Sequence, residues 1–116
     1  MYKDKTVSLI IPAYNEEQTI ASVIKDFQGE EVLDEILIVD NNSKDRTAEI
    51  AHEMGARVMK ETKQGYGNAL KAGMHHAKGD ILILCEADGS FRSSDILKFL
   101  SYILYRRNTF LEYRRQ

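Results

Sequence analysis

The 116-residue chain has no tryptophan, a single proline and a single cysteine. Lone Cys85 permits no intramolecular disulfide, so this is not a disulfide-stapled scaffold, and nothing points to an oxidising compartment. No segment approaches the ~20 consecutive apolar residues of a membrane span. No apolar run of signal-peptide length follows Met1-Tyr2-Lys3-Asp4-Lys5. The expectation is a cytoplasmic soluble protein. A net charge of -2 gives no general attraction for nucleic acid or anionic membrane. Glycine is missing from the first polar loop, which excludes a G-x-G-x-x-G dinucleotide fingerprint there, and no Gly-Lys-Ser/Thr ends a phosphate-binding P-loop. Low-complexity stretches and internal repeats are also absent.

What is present is alternation. Val7-Ser8-Leu9-Ile10-Ile11, ended by Pro12, reads as a first strand. Glu35-Ile36-Leu37-Ile38-Val39-Asp40 reads as a second, Arg57-Val58-Met59-Lys60 as a short third, and Ile81 to Cys85 as a fourth. Between them, apolar residues recur at helical spacing: Ile20, Val23, Ile24, Phe27; then Thr47, Ile50, Ala51, Met54; then Leu70, Gly73, Met74, Ala77. Gly29, Gly55 and Gly79 follow these helices as stop signals. Ile96, Phe99, Leu100 and Ile103 repeat the spacing and predict a fourth helix, begun by Ser93 or Ser94. The order βαβαβαβα, with continuously apolar strands, predicts an α/β fold: a Rossmann-like, mostly parallel sheet with flanking helices.

In such a sheet ligands bind beyond the carboxyl ends of the strands. Four polar loops gather there, and the one after strand four is the most informative. Glu86-Ala87-Asp88-Gly89 sets two carboxylates one residue apart at the end of a buried strand. Like charges so placed repel, and the usual compensating partner is a divalent cation that also holds phosphates. A solvated surface turn is the plainer alternative. Asp40, at the end of strand two, can accept from a nucleobase N–H or a ribose hydroxyl, or cap its own turn. Tyr14 can pack beside a base. Gly65 and Gly67 open the third helix and allow close backbone approach to an anion. Ser43 and Asp45 read as caps of the second helix. His75 and His76 lack partners at ligand spacing and read as surface or partly packed residues, not metal ligands.

Taken together, these motifs resemble the family-2 glycosyltransferases of the GT-A fold, most closely the branch of dolichyl-phosphate mannosyl- and glucosyltransferases. The resemblance rests on Val7 to Glu16, on Ile38 to Thr47, on Gly65-Tyr66-Gly67-Asn68-Ala69 with Gly73-Met74, and on Gly79-Asp80-Ile81 leading to Glu86-Ala87-Asp88-Gly89. It runs from about Thr6 to about Leu100. It implies that Pro12, Tyr14, Glu16 and Asp40 hold the nucleoside of a UDP- or GDP-linked sugar. It also implies a Mg²⁺ or Mn²⁺ at a D-x-D motif. Asp88 matches the second acid of that motif, Glu86 stands in place of the first, and Ala87 lies between them. Ser90 falls where the branch often has a further polar contact.

The implied chemistry is inverting glycosyl transfer, with a lipid phosphate as one possible acceptor and a membrane-peripheral location to match. In the family the acceptor half and its general base follow the D-x-D. The expectation is therefore a truncated, donor-binding half over residues 1–104, with a divergent basic-aromatic tail over 105–116, no catalytic residue assignable, and no transfer by the chain alone. An uncovered flank of strand four would make it a homodimer. A non-catalytic nucleotide-binding or assembly module is the first alternative. A receiver-like phosphoacceptor domain is the second, weakened by the lack of an acidic cluster after strand one.

Overall fold

The structure, a computed structural model, describes residues 1–96, 102–107 and 110–115, the last two segments as strands of the sheet. In chain order the elements are β1 (Val7–Ala13), α1 (Ile20–Gln28), β2 (Glu35–Asp40), α2 (Thr47–Glu53), β3 (Arg57–Lys60), α3 (Tyr66–His76), β4 (Ile81–Leu84), a single 3₁₀ turn (Ser93–Asp95), β5 (Tyr102–Arg107) and β6 (Phe110–Arg115). They form one sheet in the order β3-β2-β1-β4-β5-β6. The first four strands are mutually parallel. This is the expected Rossmann-like α/β arrangement. The order 3-2-1-4 also removes the receiver reading, because that fold runs 2-1-3-4-5.

The central strands β1, β2 and β4 are covered on both faces, which is why they read as near-continuous apolar runs instead of alternating. On one face α1 and α2 pack Ile20, Ile24, Phe27 and Ala51 against Leu9, Ile11 and Ile38. On the other, α3 packs Ala69 and Ala72 against Ile10, Leu37, Val39 and Leu82. Gly73 allows that close approach: a Cβ there would lie 2.5 Å from Ile10 Cγ2 and 3.0 Å from Val39 Cγ2.

Two expectations change. Pro12 does not end β1, which continues through Ala13 in register with Asp40. Ile10 and Pro12 turn their backbone groups the same way, toward β4, and β4 pairing stops at Ile10. The N–H that proline lacks therefore has no strand to serve.

Of the residues expected in a fourth helix, Ile96 is helical after the Ser93–Asp95 turn, whereas Ile103 lies in β5. Leu97, Lys98, Phe99 and Leu100 lie outside the described residues. β5 instead pairs antiparallel with β4 through Ile81↔Tyr105, and β6 pairs antiparallel with β5 over six residue pairs. The flank of β4 is thus occupied by the chain's own hairpin, not left open. β5 also runs through the expected boundary between residues 104 and 105.

Candidate functional site

The carboxyl ends of the parallel strands enclose an open cleft of about 550 Å³, lined by Pro12, Ala13, Tyr14, Glu16, Asn41, Gln64, Gly65, Tyr66, Ala69, Glu86, Ala87 and Asp88. Each of the four polar loops contributes to it. Of the residues expected at the site, Pro12, Tyr14, Glu16, Gly65, Glu86, Ala87 and Asp88 meet here. Asp40 and Gly67 are not among the lining residues. Asp40 is 3% exposed, and its Oδ1 accepts from the Ser43 N–H at 3.2 Å, the turn-capping alternative. The cleft residue at the end of β2 is its neighbour Asn41.

The loops after β1 and β2 lock together through reciprocal side-chain to backbone bonds. The Asn15 N–H donates to Ser43 Oγ at 2.9 Å, and the Lys44 N–H donates to Asn15 Oδ1 at 2.9 Å. The Glu16 N–H donates to Thr47 Oγ1 at 2.8 Å, and the Thr47 hydroxyl donates to Asp45. Asp45 also takes the Thr47 and Glu17 N–H groups. Burial pushes the Asp45 carboxyl up, but these donors outweigh it and hold the group below the usual range. Asp45 thus caps the start of α2 as expected, whereas Ser43 serves the β1 loop. Asn15 and Asn42 take φ of 52° and 66°, a left-handed conformation that asparagine tolerates better than most residues.

Asn41 was not singled out from sequence, and it organises the third loop. Its Nδ2 donates to the carbonyls of Glu61 and Lys63 at 3.0 and 3.1 Å, and its Oδ1 accepts from the Gly65 N–H at 3.0 Å. Gly65, at φ 132°, then opens α3 toward the cleft. Replacing Asn41 by alanine leaves two carbonyls and one N–H without partners. The expected cost is about 1–3 kcal/mol of stability, with faster amide exchange confined to residues 61–66. Hydrogen exchange on both proteins checks this.

The acidic loop is anchored behind the cleft. Phe91 stacks on Phe27 of α1 with ring centroids 5.7 Å apart, and Asp26 accepts the Ser93 N–H and hydroxyl at 2.8 Å each. Glu86 and Asp88 are exposed, and neither forms an ion pair among the described residues. The Ser90 hydroxyl and N–H hold the Asp88 carboxyl below its usual range, so it is ionised at neutral pH. Cys85 is different: burial, with the charges of Asp88 and Glu86, pushes its thiol up to about 12. It stays protonated and serves neither as nucleophile nor as ligand. His75 and His76 are exposed on α3, outside the cleft lining.

The lining carries three carboxylates, Glu16, Glu86 and Asp88, and no Lys or Arg. Among the described residues no group of three or more His, Cys, Asp or Glu side chains converges on one metal position. The pair Glu86 and Asp88 still suits a hard divalent cation that keeps several positions for phosphate oxygens and water.

Comparison with known proteins agrees with this geometry. The family described as Glycosyl transferase family 2 matches residues 8–111, beyond the Leu100 limit of the motifs. The chain is 32% identical over 104 residues to Protein RfbJ of Shigella flexneri, spanning 90% of this chain and 81% of that protein. It is 35% identical over 105 residues to a dolichyl-phosphate hexose transferase of Haloferax volcanii, spanning 88% of this chain and 45% of that one. Glucosyl-3-phosphoglycerate synthase from Mycobacterium tuberculosis, solved with Mn²⁺, uridine diphosphate and glucosyl-3-phosphoglycerate, superposes with a TM-score of 0.69 at 33% identity. That match covers 73% of this chain and 34% of the synthase, so the chain spans about a third of that enzyme. The fold is the GT-A fold, and the chain belongs to glycosyl transferase family 2.

Proposed function

We propose that these residues form the donor-binding half of an inverting glycosyltransferase that takes a UDP- or GDP-linked sugar with Mg²⁺ or Mn²⁺. The observation that carries the reading is the cleft's charge. Three carboxylates with no lining cation repel a bare diphosphate, whereas a divalent ion shared between acids and phosphates turns repulsion into attraction. The synthase crystallised with Mn²⁺ and uridine diphosphate supports the same reading and favours uridine.

In this proposal Pro12, Tyr14 and Glu16 hold the nucleoside, with Asp40 shaping the turn beneath Asn41. Gly65 and Gly67, at the start of α3, admit the diphosphate close to backbone N–H groups. Asp88 is the principal metal ligand, Glu86 the longer-armed second, and Ala87 the backbone between them. When bound, the ion supplies charge neutralisation for the departing nucleoside diphosphate. The acceptor oxygen displaces that group from the anomeric carbon in one step. The names of the dolichyl-phosphate relatives support a lipid-phosphate acceptor met at a membrane surface, and among the described residues no helix is long and apolar enough to cross a membrane. Acceptor binding and the general base are proposed to lie in a further part of the catalytic unit, so transfer needs more than these 116 residues.

Calorimetry of UDP and GDP, each with Mn²⁺ and with a chelator, tests the proposal. Binding of one nucleotide that requires the metal is the expected result. Affinities that ignore the metal would contradict it and leave a plain assembly module.

Self-association is also part of the proposal. Because β5 covers β4, the available edges are β3 and β6. Of the two, β6 is the longer at six residues, so it is the expected contact of a homodimer. Light scattering over a dilution series is expected to show a dimer that dissociates, and a monomer at every concentration would refute it.

A further inference from the structure

Thr19 stands at the N-cap of α1, where a threonine normally turns its hydroxyl onto the helix's own free N–H groups. Here it makes no such bond. Its hydroxyl lies instead 2.9 Å from the carbonyl oxygen of Ala87, between the two acids, and 3.1 Å from Oε2 of Glu16. A hydroxyl has one proton, and these two acceptors compete for it at shorter range than a third, the Glu16 carbonyl at 3.4 Å. One acceptor is a carboxylate on the β1 side of the cleft, and the other belongs to the backbone of the acidic loop.

We propose that Thr19 is a positioning residue that couples the two halves of the cleft, by moving its single hydroxyl proton between Glu16 and the Ala87 carbonyl. The proposal rests on the nucleotide-sugar reading given above. With the cleft empty, the charged Glu16 carboxylate is the stronger acceptor and draws the proton. When a ribose hydroxyl donates to Glu16, that demand falls and the proton turns to Ala87. The carbonyl between Glu86 and Asp88 is then held, which fixes the spacing of the two acids. Nucleoside on one side thereby strengthens metal on the other. By linkage, metal must strengthen nucleoside by the same factor.

Uridine isolates the effect, because without phosphates it cannot touch the ion itself. Mn²⁺ affinity is measured by calorimetry with and without saturating uridine, and UDP with Mn²⁺ is measured in parallel. In the unaltered protein uridine is expected to tighten Mn²⁺ about three- to tenfold, the equivalent of one net hydrogen bond. Thr19→Val keeps the shape and abolishes the tightening, while Mn²⁺ affinity without uridine stays within about twofold. Thr19→Ser keeps the hydroxyl and retains the tightening. Three results would overturn the inference: tightening that survives in Thr19→Val, a serine variant that behaves like valine, or an equal loss of Mn²⁺ affinity with and without uridine. UDP that fails to bind with Mn²⁺ in the unaltered protein overturns the nucleotide-sugar reading as well, so the two failures are told apart.

Discussion

Replacing Asp88 by alanine is expected to abolish the metal-dependent part of nucleoside diphosphate binding and to leave the fold intact. Asp88 is exposed, and the bonds that hold its carboxyl come from Ser90, two residues on. Its removal therefore opens no cavity and strands no buried group. Its carboxyl is held below its usual range by Ser90 and faces the cleft. Losing an outer partner of a metal site costs about 10–100-fold in affinity, and losing a ligand is expected to cost at least that. Calorimetry of UDP with and without Mn²⁺ on both proteins is the check. The variant should show one weak affinity in both conditions, with unchanged circular dichroism. An Mn²⁺-dependent increment that survives in the variant would place the ion elsewhere.

The amino ends of the parallel strands, opposite the cleft, hold the largest expected loss of stability. Glu35, at the start of β2, has a side chain only 12% exposed. It accepts from the Ser8 hydroxyl at 2.6 Å, the Lys78 N–H at 2.9 Å and the Arg57 guanidinium. Ser8 in turn accepts from the Gly79 N–H at 2.8 Å, so one carboxylate ties β1, β2, β3 and the turn before β4. Glu35→Ala strands several of these groups together. Breaking a buried ion pair costs about 3–5 kcal/mol, and the half-exposed Arg57 brings the expected figure to about 2–4 kcal/mol.

The pH dependence follows from the same contacts. Burial raises the Glu35 carboxyl, but the bonds from Lys78, Ser8 and Arg57, with the Arg57 charge, bring it net below its ordinary value. A group lowered on folding contributes stability that is complete above its unfolded pKa, ~4.3 for a glutamate, and is lost as pH falls through its folded value. Urea midpoints between pH 3 and pH 7 should therefore fall less steeply on the acid side in Glu35→Gln than in the unaltered protein. Parallel acid limbs for the two would contradict the assignment.

How far the sequence could be read depended on how local each determinant is. β2 lies where its apolar run puts it, because burial on both faces demands uninterrupted Ile, Leu and Val. Ile103 lies in a strand for a related reason. Ile96, Phe99, Leu100 and Ile103 fit a helical period, but a short apolar run fits a strand as well. The otherwise unpaired edge of β4 takes Tyr105 as a partner of Ile81, 24 residues earlier in the chain. A contact at that range leaves no mark in local spacing.

The site divides in the same way. The Glu86 and Asp88 pair was legible because two acids at a strand end are unusual by themselves. Asn41 was not, since its partners Glu61, Lys63 and Gly65 lie 20 to 24 residues away. Asp40 was placed at the right strand end, and its Oδ1 accepts from the Ser43 N–H while Asn41 lines the cleft. Thr19 reads as an ordinary helix cap until the fold brings Ala87 beside it, 68 residues on.

Paramagnetic broadening by Mn²⁺ tests the central claim most directly. Backbone amide signals are recorded with UDP present, first with Mg²⁺ and then with a small fraction of Mn²⁺. The account predicts that broadening centres on Glu86 to Ser90, extends to the cleft around Glu16 and Gly65, and disappears when UDP is omitted or Asp88 is alanine. Broadening centred on another acidic surface, such as Asp34 and Glu35 at the amino ends of the strands, or indifferent to UDP, would contradict it.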